Sequence, residues 1–280
     1  MATRGGRPPG QAALKAARQL AKRSQRERAR LFLAEGPQAV REALGQGAAI
    51  TELYVTAAAR ARHSQLVEAA AAAKVPVHEI GGELMAELAQ TVTPQGLLAV
   101  CPFIDVPLAD LVATSPRLVV VLANVRDPGN AGTVLRTADA AGADGVIFAD
   151  ASVDPYNSKC VRSSAGSLFH LPIVTAVPLA EVVSTLRQAE IAVLAADGSA
   201  SLSLDQLGDA RLGKPTAWIF GNEAWGLPSD LLELADEAVA VPIYGRAESL
   251  NLAAAAAVCL YASAHASARA HAQGGAAHVI

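Results

Sequence analysis

The chain has 280 residues, 52% of them hydrophobic, so it is long enough for one large or two modest domains and too apolar to be disordered throughout. Three widely separated cysteines, Cys101, Cys160 and Cys259, lack the spacing of a zinc site or a disulfide framework, which favours a reducing, cytoplasmic environment. The formal net charge of -3 hides an asymmetry. Residues 1–30 carry nine basic side chains and one acid, whereas the other 250 residues carry 14 basic and 25 acidic ones.

The basic first 30 residues form the first predicted element. Residues 11–30 are rich in alanine, leucine and long basic side chains without an internal glycine or proline, which favours a helix. A basic leader on an acidic body is typical of an arm that binds a polyanion, and a solvated terminus that only aids solubility is the alternative. No apolar segment of the signal-peptide type follows the arginines.

Residues 31–103 alternate short apolar runs with helical segments, which predicts a small α/β domain. The predicted strands are residues 31–34, 50–56, 75–78 and 96–101, and the predicted helices are residues 37–44, 64–73 and 83–90. Residues 104–117 contain two prolines and little periodicity, so we predict a linker there.

Residues 118–280 contain longer and more continuously apolar strands. The predicted strands are residues 118–122, 145–148, 191–195, 216–220 and 239–242, with helices at residues 131–141, 158–166, 179–188, 228–235 and 250–264. This pattern predicts an α/β fold with a parallel sheet covered on both faces, in which ligands bind beyond the carboxyl ends of the strands. Residues 250–268 carry no formal charge, but their alanine content predicts a packed helix and not a membrane span, so we expect a soluble protein.

Three loops at predicted strand ends hold the residues that suggest chemistry. Residues 122–136 form a glycine-rich turn and a helix start, in which Asn130 is the expected cap and Arg136 lies where it opposes the helix dipole. An ion pair with Asp139 on the same helix is the alternative role for Arg136. The glycine fingerprints of dinucleotide-binding and P-loop proteins do not occur, so those phosphate sites are not indicated.

The other two loops follow later strands. Residues 221–227 contain two glycines that permit a close backbone approach to a ligand, and Glu223 offers an acceptor; a tight turn with a solvated acid is the alternative. Residues 241–251 lead into the alanine-rich helix, where Ser249 and Asn251 are candidate site residues or simple helix caps.

In this order and spacing, the three loops resemble the signature motifs of the SpoU group within the SPOUT family of RNA 2′-O-ribose methyltransferases. The resemblance covers residues 118–262 and rests on residues 124–142, 221–223 and 249–251. Residues 32–44 and 93–97 look like that group's smaller RNA-binding domain, which is L30e-like. The implied substrate is structured RNA, either ribosomal or transfer RNA.

The resemblance implies a deep trefoil knot in the second domain, a homodimer, and S-adenosylmethionine held in a bent conformation, largely by main-chain groups. The cofactor contacts that it implies are Gly221, Val241, Ile243, Leu250 and Ala195. No metal is needed, because the sulfonium methyl is already activated.

The resemblance also implies the catalytic residues. A ribose hydroxyl is a poor nucleophile, so positioning and charge stabilisation should dominate its methylation. Arg136 matches the family's key arginine, for which a base role is often proposed. A guanidinium stays protonated in nearly all protein settings, so we expect Arg136 to stabilise the developing alkoxide. The residues expected to shape the pocket around it are Asn124, Glu223, Ser249 and Asn251.

Further basic residues are candidate RNA contacts. We predict that Arg162 binds an RNA phosphate, with a surface ion pair as the alternative. In the basic arm the candidates are Arg18, Lys22, Arg23 and Arg26.

Two departures from the commoner motifs, Ala253 and the pair Ala224 and Trp225, leave the local contacts around them open. Two other functions also stay open at this stage. One is a noncatalytic RNA-binding protein that keeps the fold, against which the intact polar motif residues argue. The other is a different nucleotide-using α/β enzyme, which the missing phosphate fingerprints disfavour.

Overall fold

The computed structural model describes residues 10–45, 47 and 50–276, whose contacts divide the chain into two units. The first unit holds the residues up to Ile104 together with Asp154–His170, and the second holds Asp105–Val153 and the residues from Leu171 onward. The first nine residues, with Arg4 and Arg7 of the predicted basic arm, lie outside the described residues.

The helices and strands follow one another in an alternating order. Up to residue 113 they are α1 (Gln11–Gln19), α2 (Arg23–Ala29), β1 (Leu31–Glu35), α3 (Pro37–Gly45), β2 (Glu52–Val55), α4 (Ala57–Arg62), α5 (Ser64–Ala72), β3 (Val77–Glu79), α6 (Gly82–Ala89), β4 (Leu97–Pro102) and α7 (Leu108–Ala113). From residue 118 they are β5 (Leu118–Ala123), α8 (Pro128–Ala140), β6 (Gly145–Ala149), α9 (Ser158–Ser163), β7 (Ile173–Val177), α10 (Leu179–Gln188), β8 (Ala192–Ala196), β9 (Leu202–Ser203), α11 (Asp209–Leu212), β10 (Thr216–Phe220), α12 (Ser229–Leu232), β11 (Glu237–Ala240) and α13 (Leu252–Ala276).

The first unit contains a sheet of strand order β1-β4-β2-β3, in which β4 is antiparallel to both neighbours and β3 is parallel to β2. The helix predicted over residues 11–30 is two helices, α1 and α2. Ala17 and Leu20 from this region are buried in a core cluster with Tyr54, Met85 and Leu98. The apolar side of the basic segment is therefore part of the folded unit.

The segment Asp154–His170 connects β6 to β7 along the chain, yet it packs in the first unit. The ring centroids of Tyr156 and Phe169 lie 4.8 and 6.0 Å from that of Phe32 in β1. The Tyr156 hydroxyl also accepts a hydrogen bond from the backbone N–H of Ile104 at 3.0 Å. Aromatic burial thus explains why this segment belongs with the first sheet.

The second unit carries a seven-stranded sheet of order β7-β6-β5-β10-β8-β11-β9, in which the paired strands are parallel. All six positions of β5 are buried, as expected for a strand covered on both faces. This sheet confirms the predicted α/β class. The strands β7 and β9 lie where none is predicted, and α7 lies in the predicted linker, where Leu108 and Leu111 join the core.

The last helix, α13, packs against α8 and α11 of the second unit, as predicted for the alanine-rich segment. Within the described residues, no helix combines the length and the apolar character that crossing a bilayer requires.

Candidate active site

The first site loop joins β5 to α8 and is shaped by an aspartate and a proline. The Oδ1 atom of Asp127 accepts a hydrogen bond from the backbone N–H of Asn130 at 2.8 Å, and Pro128 takes the first helical position. The prediction that Asn130 caps this helix is therefore wrong, because the helix begins three residues earlier than expected. Asn124 turns the chain at the strand end with a φ of 58°, in the left-handed region that asparagine tolerates.

The Glu223 carboxylate ties the second loop to the first. Its Oε1 atom accepts hydrogen bonds from the backbone N–H of Asp127 and from Nδ2 of Asn130, both at 3.2 Å. Its Oε2 atom accepts one from the backbone N–H of Arg126 at 3.3 Å. A negative charge at the start of α8 is favoured by the helix dipole. Glu223 is exposed, but these contacts make it more than a solvated acid.

The second loop is a tight turn held by Asn222. Asn222 and Gly226 exchange two backbone hydrogen bonds of 2.9 Å. The buried Asn222 side chain donates to the carbonyl oxygen of Asn124 at 3.0 Å and accepts from the backbone N–H of Ala224 at 2.8 Å. A Cβ atom on Gly221 would lie 2.5 Å from the carbonyl carbon of Gly226. Glycine at position 221 therefore permits a close approach between two parts of the second loop, whereas the sequence suggested a close approach to a ligand.

Asn251 joins the third loop to the other two. Its Nδ2 atom donates to Oδ1 of Asn130 at 3.1 Å, and its Oδ1 atom accepts from the backbone N–H of Ala253 at 2.9 Å. Asn251 is thus a helix cap that also contacts the first loop. Because Asn130 contacts both Asn251 and Glu223, one side chain connects all three loops.

Among the described residues, the side chains of Arg136 and Ser249 take no part in this hydrogen-bond network, whereas the predicted residues Asn124, Glu223 and Asn251 do. Arg136 is exposed on α8, six residues after Asn130, which is roughly 9 Å along the helix axis. Ser249 is exposed in the third loop.

A cleft of about 320 Å³ opens between the second and third loops. Its lining includes Gly221, Glu223, Val241, Ile243, Ser249 and Leu250. Four of the five predicted cofactor residues are therefore brought together there. The mixture of apolar side chains with a few polar groups, and the volume, are typical of small-molecule sites.

Ala195 is the exception among the predicted cofactor residues. It is fully buried in β8, in the core cluster of the second unit. The residues that line the cleft at this strand are Ala196, Asp197 and Gly198, at the strand end and beyond it. The prediction for Ala195 is corrected accordingly, because a ligand at a sheet edge meets the end of the strand and not its packed interior.

Arg162, predicted to bind RNA phosphate, forms an ion pair within the first unit. Its Nη1 atom lies 3.4 Å from Oε2 of Glu35 and 3.3 Å from the carbonyl oxygen of Ala89. Burial raises the pKa of Glu35, while the backbone N–H of Gln95 and the charge of Arg162 act against that rise. The side chain of Arg162 remains 31% exposed. The ion pair is the alternative that the sequence left open, and a phosphate contact stays a prediction.

Arg26 is the one arm candidate that the structure removes from the surface. Its Nη2 and Nε atoms lie 2.5 and 2.9 Å from Oδ2 of Asp154. Its Nη1 atom donates to the carbonyl oxygens of Leu20 and Ala21 at 2.9 and 3.0 Å. With 5% of its side chain exposed, Arg26 has no surface to offer a phosphate, so this predicted RNA contact is corrected to a structural one.

The other three arm candidates are exposed. Arg18 pairs with Glu87 at 2.8 Å, and Arg23 pairs with Glu27 at 2.8 Å, each with about half of its side chain in solvent. Exposed pairs of this kind are weak and can exchange partners, so Arg18, Lys22 and Arg23 remain candidate RNA contacts.

Sequence reasoning missed Asn130 as the residue that connects the loops, and Asn222 as the residue that supports the second one. Both carried a readable signal. A proline at the first helical position marks the preceding Asp127 as the cap, which leaves Asn130 for other contacts. Asn222 stands between two residues already singled out, Gly221 and Glu223.

Comparison with known proteins agrees with this arrangement. A family model described as the SpoU rRNA Methylase family matches residues 117–261, and one described as the MRM3-like substrate binding domain matches residues 11–99. The chain is 34% identical over 239 residues to the 23S rRNA (guanosine(2553)-2'-O)-methyltransferase RlmP of Bacillus subtilis, covering 85% of this chain and 90% of that protein.

Solved structures show the same similarity. An AdoMet-bound rRNA methyltransferase from Sinorhizobium meliloti is 32% identical, with a TM-score of 0.79 and coverage of 90% of this chain and 94% of that one. The SpoU methyltransferase AviRb from Streptomyces viridochromogenes, in complex with AdoMet, is 29% identical, with a TM-score of 0.79 and coverage of 91% and 98%. From its sheet, its three connected loops and these matches, we conclude that the chain belongs to the SpoU rRNA methylase family.

Proposed function

We propose that this protein transfers a methyl group from S-adenosylmethionine to the 2′-hydroxyl of a ribose in ribosomal RNA. The observation that carries the proposal is the connection of three loops through Asn130, which contacts Glu223 and Asn251, beside a cleft that the second and third of these loops line. A protein that only bound RNA would have no need for a built cleft beside these polar residues. The named relatives, which are rRNA methyltransferases, support the catalytic alternative.

The cleft fits the cofactor. When bound, S-adenosylmethionine supplies a methyl group on a sulfonium, which is electrophilic without a metal. Main-chain groups at Gly221 and apolar side chains at Val241, Ile243 and Leu250 would hold it. Asp197, which also lines the cleft, would add a polar contact at the end of β8.

The residues of the chain position the ribose and stabilise its charge. Arg136 would attract the hydroxyl oxygen as it becomes an alkoxide, and the proton would leave to solvent, to which this exposed side chain is open.

Glu223 and Asn251 act through Asn130 and the first turn of α8, the helix that carries Arg136. Asn124 supports the loop through Asn222, and Ser249 lies at the cleft to contact the substrate. We therefore assign Arg136 as catalytic and Asn130 as a positioning residue.

We further propose that the first unit binds the RNA. Its support is the match of residues 11–99 to a substrate-binding domain and the exposed cations Arg18, Lys22 and Arg23. These side chains would contact phosphates without reading sequence. Arg162 would also contact a phosphate, by giving up its ion pair with Glu35 for one with the RNA.

A trefoil knot in the second unit, a homodimer and a cytoplasmic location complete the proposal. Val258 and Tyr261 support a dimer, because these large side chains are 43% and 41% exposed one helical turn apart on α13. The three cysteines are free and buried, without a disulfide between them, which fits a reducing compartment.

Labelled methyl transfer from S-adenosylmethionine to purified 23S rRNA, 16S rRNA and bulk tRNA tests the proposed function. A 2′-O-methyl group blocks alkaline cleavage at its own nucleotide, so label should appear in an alkali-resistant dinucleotide from ribosomal RNA. Label in a mononucleotide that alkali releases would indicate base methylation and would contradict the proposal. Label in tRNA alone would correct the substrate.

A further inference from the structure

Two large aromatic side chains beside the cleft are not used by the mechanism above. Trp225 is 61% exposed and Tyr244 is 87% exposed. The residues on either side of Trp225, Ala224 and Gly226, line the cleft, as does Ile243 next to Tyr244. Tryptophan and tyrosine each offer a large flat face to a ligand, so their exposure next to cleft-lining residues is a feature of the site that the mechanism leaves unused.

The backbone that carries Trp225 is held in a turn by several hydrogen bonds. Asn222 and Gly226 exchange two hydrogen bonds across the turn, and the Asn222 side chain binds both Ala224 and the first loop. Glu223, next to it in sequence, is fixed by three further hydrogen bonds. An aromatic residue on a fixed turn loses little conformational entropy when a flat ligand stacks on it.

The chemistry of the neighbourhood favours a nucleic acid base as that ligand. Two exposed cations belong to the connected loops. Arg126 lies in the first loop, where its backbone N–H donates to Glu223 two residues before Trp225, and Arg246 lies in the third loop, two residues after Tyr244. Aromatic residues interleaved with cations are typical of surfaces that bind unpaired nucleotides by stacking and phosphate contact. A ribose that enters the site must bring its base and its neighbours with it.

We propose that Trp225 and Tyr244 stack on unpaired bases of the RNA at or next to the methylated nucleotide. This inference rests on the proposed function. Both residues are then substrate-positioning groups. They raise the affinity for RNA that carries its bases, and they do not change the affinity for S-adenosylmethionine. Trp225 is also a departure from the commoner family motif, so this contact is one that the resemblance did not supply.

The two tryptophans of the chain allow a direct test, because Trp218 is fully buried and Trp225 is exposed. A short oligoadenylate should quench the fluorescence of the wild-type protein, and an abasic ribose-phosphate chain of equal length and charge should not. In Trp225→Phe, where Trp218 alone reports, the quenching should disappear while binding persists. Trp225→Ala and Tyr244→Ala should each weaken oligoadenylate binding about 5- to 150-fold. Trp225→Phe and Tyr244→Phe should weaken it much less, and S-adenosylmethionine affinity should stay unchanged in all four variants.

Equal affinity for the abasic chain and the oligoadenylate, without quenching, would overturn the inference. Quenching by S-adenosylmethionine alone would assign the aromatic residues to the cofactor, and a change that follows protein concentration without RNA would assign them to a second copy of the chain; either would also overturn it. Methyl transfer by the wild-type protein is measured in parallel. If transfer is absent while stacking persists, the proposed function fails and the stacking surface stands.

Discussion

The ion pair between Arg26 and Asp154 tests whether the N-terminal helices are a structural part of the first unit. We predict that Asp154→Asn destabilises this unit by about 3 kcal/mol, the lower end of the range for breaking a buried pair. The asparagine oxygen can still accept the backbone N–H of Tyr156, which now donates to Asp154 at 2.8 Å. The Arg26 guanidinium, however, stays buried without a counter-charge, with only the carbonyl oxygens of Leu20 and Ala21 as partners.

Two variants control for other effects. Arg23→Gln breaks the exposed pair with Glu27 on the same helix, where both side chains are more than half exposed, and should cost about 0.5 kcal/mol or less. Arg26→Met in the Asp154→Asn background removes the unpaired charge and should recover part of the stability.

Hydrogen exchange is the suitable assay, because Trp218 and Trp225 both lie in the second unit and their fluorescence would follow that unit alone. A loss of about 3 kcal/mol corresponds to roughly 150-fold faster exchange of the protected amides in α1, α2 and α9. Arg23→Gln should change exchange by less than about threefold. Exchange in Asp154→Asn that matches the Arg23→Gln control would refute the structural role of the helices.

Three further outcomes are expected. Gly221→Ala should weaken S-adenosylmethionine binding about tenfold or more by calorimetry, because its Cβ meets the turn at 2.5 Å, whereas Gly245→Ala in the third loop meets nothing within 4 Å and should have little effect. Burial raises the pKa of Glu35 above its ordinary value of 4.5 in the folded protein. The stability gained from the protonated carboxyl is therefore fully present below pH 4.5 and is lost as the pH rises through the raised pKa. Between acid and neutral pH, the urea midpoint of unfolding should therefore fall less for Glu35→Gln than for the wild-type protein. An identical dependence of the two midpoints on pH would contradict this. S-adenosylmethionine should bind equally with and without a chelator, and loss of binding on chelation would refute the metal-free site.

The sheet of the second unit and its three loops could be predicted because each depends on local sequence. The apolar run that forms β5 is continuous, and the motif residues Glu223 and Asn251 follow at strand ends, where a parallel sheet collects its ligands. These features need no knowledge of distant contacts.

The errors concern contacts between distant parts of the chain. Arg26 looks like one cation among many in a basic segment, and only the fold reveals a carboxylate 128 residues away. Residues 154–170 follow a strand of one sheet, and only their aromatic packing assigns them to the other unit. Ala195, a cofactor contact that the resemblance implied, lies one residue before the part of its strand that lines the cleft.

In the proposed reaction, Arg136 stabilises the ribose oxygen that accepts the methyl group, whereas other residues of the site hold S-adenosylmethionine. Single-turnover methyl transfer to ribosomal RNA by wild type and Arg136→Ala, together with S-adenosylmethionine binding by both proteins, tests it most directly. We predict that transfer falls about 100- to 1000-fold in Arg136→Ala while cofactor affinity is unchanged. A variant that retains most of its turnover, or a wild-type protein that binds RNA without transferring methyl, would contradict it.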